Sequence, residues 1–178
     1  MDSEIRRVVI DRPSWDDYFL ALAYVAAQRS HDADTQVGCV IADQRTHRVL
    51  GLGYNGYPKG IDDSVLPNTR PIEKVRAVNS KYSWMIHAEK NAVANCSGLA
   101  LDNAVAYITL APCNECAMHL WQHGIRTVYV PDLITLSNKW FTEEEKERYD
   151  MFRGLTGFKV NYVKPNLTWL SKIPINGQ

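Results

Sequence analysis

Polar and apolar positions alternate along this chain in a pattern that switches between helical and strand periods. Ser14 can cap a helix that opens at Trp15-Asp16-Asp17, with acids where the helix dipole favours them. Phe19, Leu22, Ala23 and Ala26 recur at helical spacing, so one face of that helix is expected to pack on a core. After a polar stretch at 30–36, the apolar run 37–41 predicts a buried strand. Residues 49–54 form its partner, joined by a polar turn at 43–47. Residues 57–83 lose the pattern, broken by Pro58, Pro67 and Pro71, and form an insertion of a length that usually carries function.

A helix at 87–94, a strand at 104–109, a helix at 113–123 stopped by Gly124, and a strand at 126–130 follow. A charged helix at 143–152 and a last strand at 158–163 complete the pattern. Alternating strands and helices predict an α/β protein: a three-layer α/β/α sandwich around a mixed five-stranded sheet. The first two strands are expected to pair antiparallel and the later crossovers to be parallel. A length of 178 residues suits one domain, with its core at about 14–164.

Composition narrows the function. Lys plus Arg and Asp plus Glu each total 20, so the formal net charge is zero, which argues against a long nucleic-acid partner. No stretch approaches the roughly 18 apolar residues of a membrane span. Met1-Asp2-Ser3-Glu4-Ile5-Arg6-Arg7 lacks the apolar centre of a signal peptide, and a cytoplasmic location is expected. Cys39 and Cys96 fall in apolar segments and read as inert buried thiols. The run Glu143-Glu144-Glu145-Lys146-Glu147-Arg148 reads as a solvated helix face.

Two short elements carry chemistry: His87-Ala88-Glu89 and Pro112-Cys113-Asn114-Glu115-Cys116. Imidazole and thiolate are zinc's preferred donors, and a catalytic zinc takes three protein ligands and leaves one position to water. His87, Cys113 and Cys116 supply three if the segments meet, each at a strand-to-helix junction on one edge of a parallel sheet. Glu89 would face the same cavity as general base and then acid. A lone C-x-x-C also suits a structural zinc or a redox pair, and His119 follows at helical spacing to offer a local cluster. A redox pair would need neither His87 nor Glu89.

H-A-E with P-C-N-E-C is the signature given for zinc deaminases. From about Trp15 to Val130 the chain resembles the cytidine and deoxycytidylate deaminase superfamily, and within it the deoxycytidylate branch. The likeness extends to Ala27-Gln28-Arg29-Ser30, Gln36-Val37-Gly38, Gly53-Tyr54-Asn55-Gly56 and Asp62-Asp63-Ser64-Val65-Leu66-Pro67. It departs at Pro131-Asp132-Leu133-Ile134, where the family often carries a tyrosine.

The resemblance implies hydrolysis of dCMP to dUMP and ammonia, supplying thymidylate synthesis, with zinc on His87, Cys113 and Cys116 and Glu89 catalytic. It places Asn55 on the sugar, Ser30 near the phosphate and Ala88 against the substrate. Gly53, Tyr54, Asn55 and Gly56 would take dCTP as activator and dTTP as inhibitor, with Mg2+, in a homo-oligomer that is often a hexamer. Arg29, Lys59, Arg70, Lys74 and Arg76 are all candidates for the phosphate. Competing readings are deamination of free cytidine or of a base within RNA or DNA, and a non-enzymatic module in which zinc only staples the fold.

Overall fold

The computed structural model describes residues 12–69, 78, 80–132 and 142–172. Ser14 caps α1 (Trp15–Ala27), its side chain accepting from Asp17 N. Strands β1 (Gly38–Asp43) and β2 (Val49–Tyr54) form an antiparallel hairpin. Two single 3₁₀ turns in the insertion, Asp63–Val65 and Lys81–Ser83, precede α2 (Ala88–Ala94). Then come β3 (Ala104–Ile108), α3 (Asn114–Gln122), β4 (Thr127–Pro131), α4 (Glu143–Thr156) and β5 (Lys159–Val163). The strands lie in the order β2-β1-β3-β4-β5.

The expected mixed sheet is present. β1 is antiparallel to both β2 and β3, and β3, β4 and β5 run parallel. Alternation along β1 sends its residues to two faces. Val40 and Ala42 join Phe19, Leu20 and Ala23 of α1, while Cys39 and Ile41 join Ala88, Ala92, Ala117 and Leu120 of α2 and α3. Helices therefore cover both faces, giving three layers. Cys39 and Cys96 are buried as expected, and burial pushes both thiols up.

Element ends differ from the sequence pattern by a few residues. β1 begins at Gly38 and runs on to Asp43, because pairing with β3 extends it. α4 continues to Thr156, where left-handed Gly157 ends it. Its exposed face carries ion pairs, among them Lys146–Glu143 at i,i+3 and Arg148–Glu144 at i,i+4. Among the described residues no helix is long and apolar enough to cross a membrane.

Candidate active site

One expectation about the site needs correction. Cys113 does stand where β3 gives way to α3, but α2 is not entered from a strand. The chain arrives from the insertion, and Ile86 bridges to Gly56 through two backbone hydrogen bonds of 2.8 and 3.1 Å. That bridge anchors the start of α2 beside the end of β2. The adjoining β1 is antiparallel to β3, so the site lies across a mixed sheet, not along a parallel edge.

His87 and Cys113 occupy the N-cap positions of α2 and α3, and Cys116 sits in the first turn of α3. His87 Nδ1 lies 3.6 Å from Cys113 Sγ and 3.3 Å from Cys116 Sγ, and all three donor atoms fall within 4.8 Å of one another. Tetrahedral zinc with ordinary Zn–N and Zn–S bonds would hold such donors about 3.6 Å apart. The donor set and the spacing both fit that ion. The metal-capable group found among the described residues contains His87 and not His119, whose ring packs 4.4 Å from that of His123.

The electrostatics of the pair suit metal binding. A hydrogen bond from the Cys116 thiol, followed by one with His87, brings the Cys113 thiol down to about 4. The same bond and burial push the Cys116 thiol up. A cation at this point would favour the thiolate form of both sulfurs, as ligation requires. The Cys113 hydrogen bond likewise raises His87. Glu89, in the first turn of α2, is only 4% exposed, and burial raises its carboxyl above the ordinary range. A raised carboxyl facing a metal-capable group is suited to accepting and returning a proton.

The residues expected at the sugar and phosphate meet one another. Ser30 Oγ lies 2.6 Å from Asn55 Oδ1 and 2.9 Å from Asn55 O, sharing its proton between them. Asn55 is next to the Gly56–Ile86 bridge, which brings it close to the His87 end of α2. Ala88 is fully buried in the core, so its side chain is spent on packing. Tyr54 is half-buried and its carbonyl accepts from Asn91 Nδ2 at 2.8 Å. Gly53 has a packing role: a Cβ there would strike the α2 backbone at Ala88, Asn91 and Ala92. Of the candidate phosphate groups, Arg29 and Lys59 are exposed, and Arg70, Lys74 and Arg76 lie outside the described residues.

Sequence reasoning did not single out Asp32 and Lys81, which are buried together behind Asn55. Within P-C-N-E-C, Glu115 suits either an exposed helix carboxylate or a group near the base; it is exposed, and its carboxylate lies 3.4 Å from Lys90, linking the first turns of α2 and α3. Charged residues in polar stretches carry no local sign that a distant partner will bury or pair them.

A donor set that could hold a metal ion, a buried glutamate and two helix starts meet here, an arrangement that suits a deaminase. Residues 13–131 match the model of the cytidine and deoxycytidylate deaminase zinc-binding region, and the chain belongs to that family. Its relatives include the deoxycytidylate deaminase of Mus musculus, 36% identical over 93% of this chain and 87% of the mouse protein. That of Mycobacterium phage D29 is 37% identical over 68% of this chain and 98% of the phage protein. In fold the chain resembles the dCMP deaminase of cyanophage S-TIM5 solved with dCMP and dUMP. The TM-score is 0.63 at 20% identity, covering 86% of this chain and all (100%) of that one.

Proposed function

We propose that this protein hydrolyses deoxycytidine monophosphate to deoxyuridine monophosphate and ammonia. The observation that carries the reading is the convergence of His87, Cys113 and Cys116 beside buried Glu89. The names of its relatives point the substrate assignment toward dCMP. His87, Cys113 and Cys116 would hold zinc, which when bound supplies Lewis acidity and a water acidified to a pKa of about 7.

Glu89 takes the proton of the attacking water and delivers it to the ring nitrogen beside the amine-bearing carbon. The water oxygen bonds to the amine-bearing carbon as that carbon's double bond to the ring nitrogen becomes single. Glu89 then takes the remaining proton of the newly bound hydroxyl and passes it to the amine, so that the C–N bond breaks, the C=O bond forms and ammonia leaves. Its burial keeps bulk water from competing for those protons and strengthens their transfer. Asn55 would hydrogen-bond the sugar hydroxyl, Ser30 would stand toward the phosphate, and Ala88 would contribute through its backbone.

The same reading makes the enzyme a cytoplasmic source of dUMP for thymidylate synthesis. It also makes it an oligomer, in the family often a hexamer, activated by dCTP and inhibited by dTTP with Mg2+ at Gly53-Tyr54-Asn55-Gly56. Steady-state assays of dCMP, deoxycytidine, cytidine and a structured RNA separate the alternatives. Strong preference for dCMP is expected, since a site built to pair a phosphate rejects a substrate lacking it by orders of magnitude. Turnover confined to the RNA or to the nucleosides would overturn the substrate assignment. Saturation curves for dCMP that superimpose with and without dCTP and dTTP would overturn the regulatory part alone.

A further inference from the structure

Lys81 closes the insertion and is 2% exposed, with its Nζ 2.6 Å from Asp32 Oδ1 and 3.1 Å from Asp34 Oδ2. Burying an ammonium is strongly unfavourable without good partners, and an apolar pair of similar volume commonly does as well for stability. The reason for a charged pair here therefore lies in what it holds. Asp32 Oδ1 also accepts from the backbone of Asp34 and of Thr35, both at 2.9 Å, and its Oδ2 accepts from Asn55 Nδ2 at 3.4 Å. Asn55 Nδ2 donates as well to Thr35 O at 2.9 Å. Its Oδ1 accepts from Val37 N at 2.8 Å and from Ser30 Oγ at 2.6 Å.

These bonds permit one orientation of the Asn55 carboxamide. Reversed, its NH2 would face the Val37 N–H and its oxygen would face the Asp32 carboxylate. Lys81 is the cation that holds Asp32 against Asn55. Without it, buried Asp32 would lose its cation and face the carboxylate of the more exposed Asp34, and the loop at 30–37 would have cause to open. Asn55 is 8% exposed and both amide hydrogens and both oxygen lone pairs are engaged, so a ligand hydroxyl must displace one of these partners, and the position of this loop decides how readily it does.

We propose that Lys81, acting through Asp32, is a positioning residue for Asn55, so that the end of the insertion sets substrate affinity without touching the reacting atoms. This rests on the reading of Asn55 as the sugar-binding group. The test uses the zinc-loaded full chain and measures kcat and KM for dCMP, zinc content and thermal midpoint in Lys81→Met, Asn55→Ala and the double variant. Lys81→Met is expected to raise KM about tenfold or more, with kcat within about threefold of the parent and zinc retained, as loss of positioned binding requires. The double variant should bind no worse than Asn55→Ala alone, because Lys81 acts through the group already removed.

A Lys81→Met protein with a lower thermal midpoint but unchanged KM, beside a raised KM in Asn55→Ala, would overturn the proposal alone and leave Lys81 a packing residue. Multiplicative effects in the double variant would also overturn it. An unchanged KM in Asn55→Ala would overturn the sugar-binding role and the proposal with it. Should Lys81→Met fail to fold, Asp32→Asn breaks the same link while keeping the side chain's shape, and the same outcomes decide.

Discussion

Gly53→Ala adds one methyl group where β2 lies directly on the backbone of α2. Its Cβ would sit 2.6 Å from Ala88 O and 2.8 Å from the Asn91 carbonyl carbon, closer still to Ala92 N. Ordinary contact begins at 3.4 Å, so strand and helix must part by about 0.8 Å at Ala88 O alone. None of these atoms is the movable tip of a side chain, so the helix itself must shift. Overpacking of this kind costs about 1–3 kcal/mol, or roughly 2–12 °C in thermal midpoint for a chain of this size. The helix that moves carries His87 at its cap and Glu89 in its first turn. A misplacement near 1 Å lowers turnover by about 10².

Urea unfolding with a check on the m-value, alongside kcat for dCMP, measures both effects. Gly154→Ala is the matched control: the same change, in α4, meets nothing within 4 Å and should stabilise by about 0.5–1 kcal/mol. A Gly53→Ala protein with parental midpoint and turnover would refute the packing argument. The glycine would then be explained by ligand approach alone.

Two further outcomes follow from the geometry. His87→Ala should lose far more zinc, by elemental analysis, than His119→Ala; the reverse order would restore the local cluster of Cys113, Cys116 and His119. Tyr107 is buried and its hydroxyl donates to Asp16 at 2.9 Å, and burial followed by that bond raises its pKa above the value of about 10 for an unfolded tyrosine. The unfolded chain therefore releases the proton first, so this stability is complete below pH about 10 and declines as pH rises beyond it. Tyr107→Phe should show a shallower alkaline loss of unfolding free energy, and identical slopes would contradict the assignment.

Local features of the chain carried their information into the fold wherever the determining contacts were close in sequence. Ser14 capping α1, the alternation through β1, and H-A-E with P-C-N-E-C each depend on neighbours within one or two turns. Residue type together with the deaminase signature selected His87, Glu89, Cys113 and Cys116, and the structure brings His87, Cys113 and Cys116 together. Contacts made by the insertion were not legible. Lys81 reaches back 49 residues to Asp32, and both stand in polar stretches that read as exposed. The Ile86–Gly56 bridge is a backbone interaction with no side-chain signature, so the route into α2 was read as a strand. Gly53 belongs to the loop that the resemblance assigns to a nucleotide, while its lack of a side chain also admits a helix backbone.

The central claim is that Glu89 moves the protons of a hydrolytic deamination at a metal held by His87, Cys113 and Cys116. The direct measurement is single-turnover conversion of dCMP to dUMP by Glu89→Gln, with zinc content determined on the same sample. Glutamine keeps the size of the buried side chain but cannot accept the water's proton. The account predicts zinc at the parental level, a native unfolding midpoint, and deamination slowed by at least about 10². Glu89→Gln protein that holds zinc and turns over dCMP at the parental rate would contradict it.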